Sequence, residues 1–399
     1  MASSDHPTLL GMPLPFQRAE YERRLATVRR ALEDAELDAL LVFQQENMNY
    51  LFGYDQNGYW VYQVAVVTRE RDDIVVLARP ADHALIAGLP FVEDLRLWRD
   101  DSDDDPAQMT ADILADVGAL GTGRRVGIEL HSHALLPHHH GRLRTALDGR
   151  VELVDASDLI ADLRVRKSDA EVAYCRQAGE ILDAGLRAGL EHVRPGATEA
   201  NVLGAAYAAM FEAGGHMPAV PPPVSSGPRT LSRTHGGATQ RVVEDDELFV
   251  LEIGACLHRY HVVGVHSRWV GPAPDHVRST FSELGEALAA GTASVRPGVA
   301  AADVARAVNG VLGRQGAFVA GNHVGYGTGI GYPPSWLDTL RIKESSTQVL
   351  HPNTVLFLFV HRIVHHRETP LLVFIGEPLL VTGTGSERLS ALPLELDVS

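Results

Sequence analysis

A glutamate inside an apolar run is the first candidate for chemistry in this sequence. Glu252 lies in FVLEIG, which has the composition of a buried β-strand. A carboxylate in such a strand is either paired with a cation or a histidine, or kept neutral with a raised pKa. We therefore interpret Glu252 as a functional carboxylate, and an ion pair with an arginine is the alternative.

Two histidines that lie five residues apart follow Glu252 along the chain. His261 and His266 both lie in YHVVGVHSRW, and a regular strand would direct them to opposite faces. Gly264 lies between them and could host a β-bulge that brings both to one face. Further histidines in the last eighty residues keep a single-metal site open as an alternative. They are His323, His361, His365 and His366.

The composition excludes several classes of function. The 399 residues carry a formal net charge of −16 and show no basic stripe with aromatics, which argues against nucleic-acid binding. No apolar run approaches the roughly 20 residues needed to cross a bilayer, and the start lacks the pattern of a signal peptide. Cys175 and Cys256 are predicted to be buried free thiols, so we expect a cytoplasmic protein.

The elements that must position these residues fall into two domains, as the chain length suggests. Mixed helical and strand patterns indicate an α/β domain over residues 14–163, with a hairpin that turns at Arg71–Asp73. A long amphipathic helix near Arg164 opens a second domain, residues 164–395.

The second domain contains an internal repeat. Arg194-Pro195-Gly196 and Arg296-Pro297-Gly298 each separate two helical patterns, and β-rich sequence follows each copy. Repeated halves of this kind predict a pseudo-twofold α+β domain with a site between the halves, in which Arg194 superposes on Arg296.

Four motifs, taken in order, resemble the pita-bread family of creatinase, aminopeptidase P and prolidase. They are SSGPRTLSRTHGGATQR, LFVLEIGACLHRYH, HVGYGTGIGYPPSW and GEPLLVTGTGSERLS. The resemblance covers nearly the whole chain. It implies an α/β N-terminal domain followed by an α+β pita-bread catalytic domain.

The resemblance also implies that the two-metal centre of the family has been lost. The metalloenzymes bind two divalent cations through two aspartates, a histidine and two glutamates, because hard cations need several oxygen ligands. The matching positions here are Glu252, Val263, Tyr326, Phe359 or a residue beside it, and Gly376, or Glu377 with a one-residue shift. Since valine and phenylalanine offer no ligand, we expect no metal and no other cofactor.

His235, in THGGATQR, matches the catalytic histidine of creatinase, which is the family precedent for catalysis without a metal. Histidine can give and take protons near neutral pH. We therefore assign His235 as the acid–base residue, with Glu252 and Glu377 as catalytic carboxylates, and a capping or packing role for His235 is the alternative. The resemblance assigns substrate binding to Tyr59, Trp60, His261, His266 and Tyr326.

Creatine itself is not the expected substrate, because Val61 and Val265 replace an arginine and a carboxylate of the creatinase pocket. The first hypothesis is a metal-independent hydrolase that acts on a C–N bond of a small amide, amidine or cyclic amidine. The second is a metal-free or single-metal lyase, cyclase or isomerase of a biosynthetic pathway. The third is a non-catalytic pseudo-peptidase that binds a small molecule. We expect a homodimer with a shared site.

Overall fold

A computed structural model describes residues 13–58, 60–313 and 323–396, and the side chains of residues 233–235 lie outside this description. The chain divides into two compact units between Arg164 and Val165. No helix in the described ranges is both long enough and apolar enough to cross a membrane.

The N-terminal unit contains a mixed sheet with helices. Its strands are β1 (Ala39–Val42), β2 (Val64–Thr68), β3 (Ile74–Ala78), β4 (Val92–Leu97), β5 (Arg125–Ile128) and β6 (Glu152–Asp155). Its helices are α1 (Arg18–Asp34), α2 (Gln45–Phe52), α3 (His83–Ile86), α4 (Pro106–Asp116), α5 (Pro137–Leu147) and α6 (Ser157–Val165), with a 3₁₀ turn over Pro80–Asp82. The strand order is β4-β3-β2-β1-β5-β6. Strands β2 and β3 pair antiparallel, which confirms the predicted hairpin.

In the described residues, the C-terminal unit is built from two helix pairs and an eight-stranded sheet. The helices are α7 (Asp169–Glu191), α8 (Glu199–Glu212), α9 (Asp275–Ser294) and α10 (Ala301–Leu312). The strands are β7 (Val224–Ser226), β8 (Leu248–Leu257), β9 (Tyr260–Trp269), β10 (His323–Tyr332), β11 (Ser335–Lys343), β12 (Val355–His366), β13 (Thr369–Val381) and β14 (Ser386–Arg388). A 3₁₀ helix spans Gly227–His235. The strand order is β11-β10-β12-β13-β9-β8-β7, and β14 pairs with β13.

Equivalent backbone hydrogen bonds relate the two halves of this unit. Gly196, between α7 and α8, donates its N–H to the carbonyl of Val243 at 3.0 Å. Gly298, between α9 and α10, donates to the carbonyl of Leu350 at 2.9 Å. Both glycines adopt a left-handed φ, 86° and 81°, which a residue with a Cβ adopts only with strain. These matched bonds support the internal repeat.

Helix α7 covers one face of the sheet. A Cβ on Gly264 would lie 3.1 Å from Leu182 and 3.3 Å from Leu186 of α7, so a larger side chain here would require these leucines to shift. Gly264 pairs with Ile253, and side chains alternate along a strand. Glu252 therefore points away from α7. We call the covered side the helix face and the side that carries Glu252 the site face.

Candidate active site

The strand register brings to the site face the five positions that the resemblance matches to the metal ligands of the family. Val265 pairs with both Glu252 and Gly376, and Gly376 pairs in turn with Phe359. Paired residues share a face, and so do residues two apart on a strand. By the same rule Val263 lies on the site face, because it is two residues from Val265. Tyr326 does so too, because it pairs with Phe357, which is two residues from Phe359.

The chemistry of this set does not fit a pair of divalent cations. One of the five positions offers a carboxylate, Glu252, and one offers a phenol, Tyr326. The other three are valine, phenylalanine and glycine, whose side chains offer no donor, whereas two hard cations need several oxygens. Within the described ranges, no group of three or more His, Cys, Asp and Glu side chains could hold a metal ion.

Packed aromatic rings line the site face around these positions. The ring of Tyr326 lies 5.5 Å from that of Phe357 and 5.9 Å from that of Phe359, between centroids. Phe374 meets Phe359 edge-on at 5.6 Å. The Tyr326 hydroxyl accepts a hydrogen bond from Trp336 Nε1 at 3.1 Å. The result is an apolar floor in which charge is poorly solvated, so a charged contact there would be stronger than in water.

Glu252 lies beside this floor and is only 4% exposed. Its backbone N–H donates to the carbonyl of Pro223 at 3.1 Å. Burial, followed by the negative charge of Glu252, raises the pKa of Tyr326 well above its ordinary value. Tyr326 therefore stays a neutral phenol close to the one carboxylate of the set.

A buried ion pair supports the strand that carries Tyr326. Lys167 Nζ donates to Asp338 Oδ2 at 2.8 Å, and both side chains are buried. A Cβ on Gly329 would lie 3.1 Å from Lys167 Nζ and 3.2 Å from Asp338 Oδ2. A residue larger than glycine would require the pair to shift by a few tenths of an ångström, so the pair packs closely against this glycine of β10.

His261 lies on the site face, but both of its ring nitrogens are engaged. Its Nε2 accepts the backbone N–H of Ala219 at 2.9 Å, and its Nδ1 lies 2.8 Å from the carbonyl of Arg259, to which it donates. Burial lowers its pKa to about 4. His261 is thus a neutral imidazole that fastens the loop containing Ala219, and this geometry leaves no ring nitrogen for a substrate.

His266 lies on the helix face, because the β8–β9 register continues without a bulge at Gly264. The bulge considered above is absent, and the glycine serves the close approach of α7 instead. Burial, and then the positive charges of Arg268 and Arg388, lower the pKa of His266 to about 4. The register therefore does not bring His266 together with Glu252.

Glu377 also lies on the helix face. It pairs with Leu358, whose side chain packs against Gly291 of α9. Its carboxylate forms an ion pair with Arg388 and lies 3.4 Å from the Thr292 hydroxyl. Of the two residues considered for the last family carboxylate, Gly376 shares the site face, and Glu377 lines a separate cavity of about 490 Å³ beside α9.

The backbone next to His235 lies close to Glu252. His235 ends the 3₁₀ helix, and its side chain lies outside the described residues. The following residue, Gly236, accepts the N–H of Val224 at 3.2 Å, and Pro223 accepts the N–H of Glu252. A single dipeptide, residues 223–224, thus joins the backbone beside His235 to the backbone of Glu252.

The two aromatic residues assigned from the N-terminal domain are only partly described. Trp60 is 65% exposed in the loop after α2. Tyr59 lies outside the described residues. Their contribution to a substrate pocket stays a prediction.

Two histidines of the site face were considered above only for a rebuilt metal site. The ring of His323 meets Phe359 edge-on at 5.7 Å, and His361 stacks beside the same ring at 6.3 Å. His361 pairs with Phe374 and lies two residues from Phe359. That spacing is the sequence signal that would have placed His361 on the site face.

Comparisons with known proteins identify the two domains. Residues 24–166 match the creatinase/prolidase N-terminal domain, and residues 173–381 match metallopeptidase family M24. The chain is 28% identical to an uncharacterised hydrolase/peptidase of Sinorhizobium fredii, over 96% of this chain and 99% of that protein. It is 26% identical to an ectoine hydrolase of Halomonas elongata, over 98% of this chain and 100% of that protein.

Solved structures show the same fold. The crystal structure of the dipeptidase PepE from Mycobacterium ulcerans superposes with a TM-score of 0.81 at 24% identity, covering 96% of this chain and 100% of that one. The predicted fold class, an α/β N-terminal domain and an α+β pita-bread domain with a pseudo-twofold repeat, is confirmed. The chain belongs to metallopeptidase family M24 and carries the creatinase/prolidase type of N-terminal domain.

Proposed function

We propose that this chain is a metal-independent hydrolase of its family that cleaves a C–N bond in a small amide, amidine or cyclic amidine. The observation that carries the proposal is the site face, where the family's ligand positions keep one carboxylate and otherwise hold valine, tyrosine, phenylalanine and glycine. The similarity to an ectoine hydrolase along nearly the whole chain supports the choice of substrate class.

His235 is the proposed acid–base residue. Its neutral imidazole accepts a proton from water as the water oxygen attacks the amide or amidine carbon. The imidazolium then returns a proton to the departing nitrogen as the C–N bond breaks, so that one water is consumed and the histidine ends neutral. With no metal to lower the pKa of water, a base of this kind contributes roughly a hundredfold to ten-thousandfold in rate.

Glu252 is the proposed carboxylate partner. Beside the apolar floor a carboxylate interacts with a nearby cation more strongly than it would in water. Glu252 would stabilise the imidazolium of His235 or hold the positive charge of an amidinium substrate. The planar rings of Tyr326 and Phe359 suit a flat, cationic group, since aromatic faces attract cations.

A first experiment tests metal independence. The purified protein should contain less than a tenth of an equivalent of zinc, manganese, cobalt or iron by elemental analysis. Its activity on a panel of amides, amidines and ectoine should be unchanged after dialysis against a chelator. One tightly bound equivalent of metal, with activity lost on chelation and restored by that metal, would overturn the proposal.

A second experiment tests the reaction type. In ¹⁸O-labelled water, hydrolysis places one labelled oxygen in the product, whereas elimination, cyclisation or isomerisation places none. A labelled product is expected. A product without label would favour the lyase, cyclase or isomerase alternative, and specific binding of a panel member without turnover would favour the pseudo-peptidase.

A third experiment tests His235. His235→Ala should lower kcat by roughly a hundredfold or more with the fold preserved. The matched control is His192→Ala, because His192 is an exposed histidine at the end of α7. Near wild-type turnover in His235→Ala would remove the centre of the proposed mechanism.

A further inference from the structure

We propose that Glu199 is a positioning residue that holds both ends of the segment bearing His235. Glu199 is the first residue of α8, and the segment between its contacts runs over residues 227–238. Glu199 acts in this way only if His235 is the acid–base residue proposed above.

The contacts of Glu199 reach both sides of the segment. On the near side, Oε1 accepts the N–H of Ser226 at 2.8 Å and its hydroxyl at 2.9 Å. On the far side, Oε2 accepts the N–H of Thr239 at 3.0 Å and its hydroxyl at 2.8 Å. The carboxylate is 0% exposed. One buried anion thus fixes the distance between the two ends.

Two arginines extend this cluster. Arg229, inside the segment, forms an ion pair with Glu199 and donates to the carbonyl of Gly237 at 3.0 Å. Arg241 donates to the Ser226 hydroxyl at 2.6 Å and forms an ion pair with Glu247 at 2.6 Å. Ser226 therefore donates to one charged group and accepts from another, so its hydroxyl has a single favourable orientation.

The internal repeat shows that the fold does not need a carboxylate at this position. Glu199 donates its backbone N–H to the carbonyl of Arg241, and Ala301 makes the equivalent bond to Gln348 at the start of α10. The same turn and helix start therefore form with alanine. The carboxylate is present only in the half that carries His235, which indicates that it serves the segment and not the helix.

A substrate-free experiment tests the positioning role. In Glu199→Gln the amide nitrogen cannot accept, so the bonds at one end of the segment are lost. Hydrogen exchange of the amides of residues 227–239 should rise at least about tenfold, because exchange reports local opening. Unchanged exchange there, or an equal rise across the whole domain, would overturn the proposal.

Asp183→Asn is the matched control. Asp183 is also a buried carboxylate that accepts a hydroxyl and a backbone N–H, from Ser390 at 2.5 Å and from Ala391 at 2.8 Å. It fastens a different part of the same domain. Asp183→Asn should raise exchange near residues 390–391 and leave residues 227–239 as in the wild type.

A double-mutant cycle separates positioning from stability. With the substrate found by the panel above, Glu199→Gln should lower kcat by about tenfold to a hundredfold with a smaller change in KM. In the His235→Ala background it should have no further effect on kcat, since the group that it positions is gone. An equal loss in both backgrounds would overturn the proposal. If His235→Ala alone leaves kcat near the wild-type value, the result contradicts the proposed function itself.

Discussion

Glu252 and Phe359 occupy equivalent places in the two halves of the C-terminal sheet, each at the fifth residue of its strand and both on the site face. The first half retains a carboxylate there, and the second half has a phenyl ring in its place. The site is therefore asymmetric, with charge on one side and an aromatic wall on the other. A pair of metal ions needs anionic ligands from both halves, whereas the flat cationic group proposed as substrate would use one charge and one aromatic face.

The two glutamates assigned from the sequence should behave differently. Glu252→Gln keeps the shape of the side chain and removes its charge, so it should lower kcat at least about tenfold if Glu252 stabilises an imidazolium. Glu377→Gln should leave kcat within about threefold, because Glu377 lies on the helix face. Steady-state kinetics on both purified variants measures the two changes in kcat. A larger loss in Glu377→Gln than in Glu252→Gln would contradict this account of the site.

The two buried histidines should differ in what they contribute to stability. His261→Leu leaves the buried N–H of Ala219 without its acceptor, which should lower the free energy of unfolding by about 1–3 kcal/mol. His266→Leu should change it by less than about 1 kcal/mol, since Nδ1 of His266 has no hydrogen-bond partner among the described residues. Urea unfolding monitored by fluorescence measures both. Equal losses of unfolding free energy would contradict the stabilising role of the hydrogen bond between His261 and Ala219.

Acid should destabilise the folded chain between about pH 6.5 and pH 4. Burial lowers the pKa of His261 and His266 to about 4 in the folded state, against about 6.5 in an unfolded chain. Within that window the unfolded state binds more protons, so the free energy of unfolding falls as the pH falls. Each histidine lowers the free energy of unfolding by at most about 1.4 kcal/mol per pH unit. His266→Leu should show a shallower loss than the wild type, and an identical pH profile would refute this.

The chain should form a homodimer that depends on the loop carrying Trp60. Tryptophan is enriched at protein–protein interfaces, and Trp60 is 65% exposed on its loop. Light scattering at micromolar concentration should give a dimer, and Trp60→Ala should weaken the dimer and raise KM. The control is Phe211→Ala, because Phe211 is another exposed aromatic on a different element, α8. A fully active monomer would contradict the shared-site proposal.

The sequence by itself was enough to identify the family, the fold class and the repeat, and it led to the proposal that metal donors have been lost. Motif order and spacing identify a fold because they follow the succession of its strands and turns. The side chains of Val263 and Phe359 offer no oxygen in any conformation, so residue identity alone rules them out as ligands. The buried state of Cys175 and Cys256 also followed from their apolar surroundings and is confirmed.

The tertiary structure decided which residues face the site. Side chains alternate along a strand, so a shift of one residue reverses the face, and the choice between Gly376 and Glu377 depends on pairing with Val265. His261 and His266 were separated by a register that continues past Gly264. The partner of His261, Ala219, is 42 positions away along the chain. Such facts depend on which strand or loop lies alongside, and local sequence does not encode that neighbour.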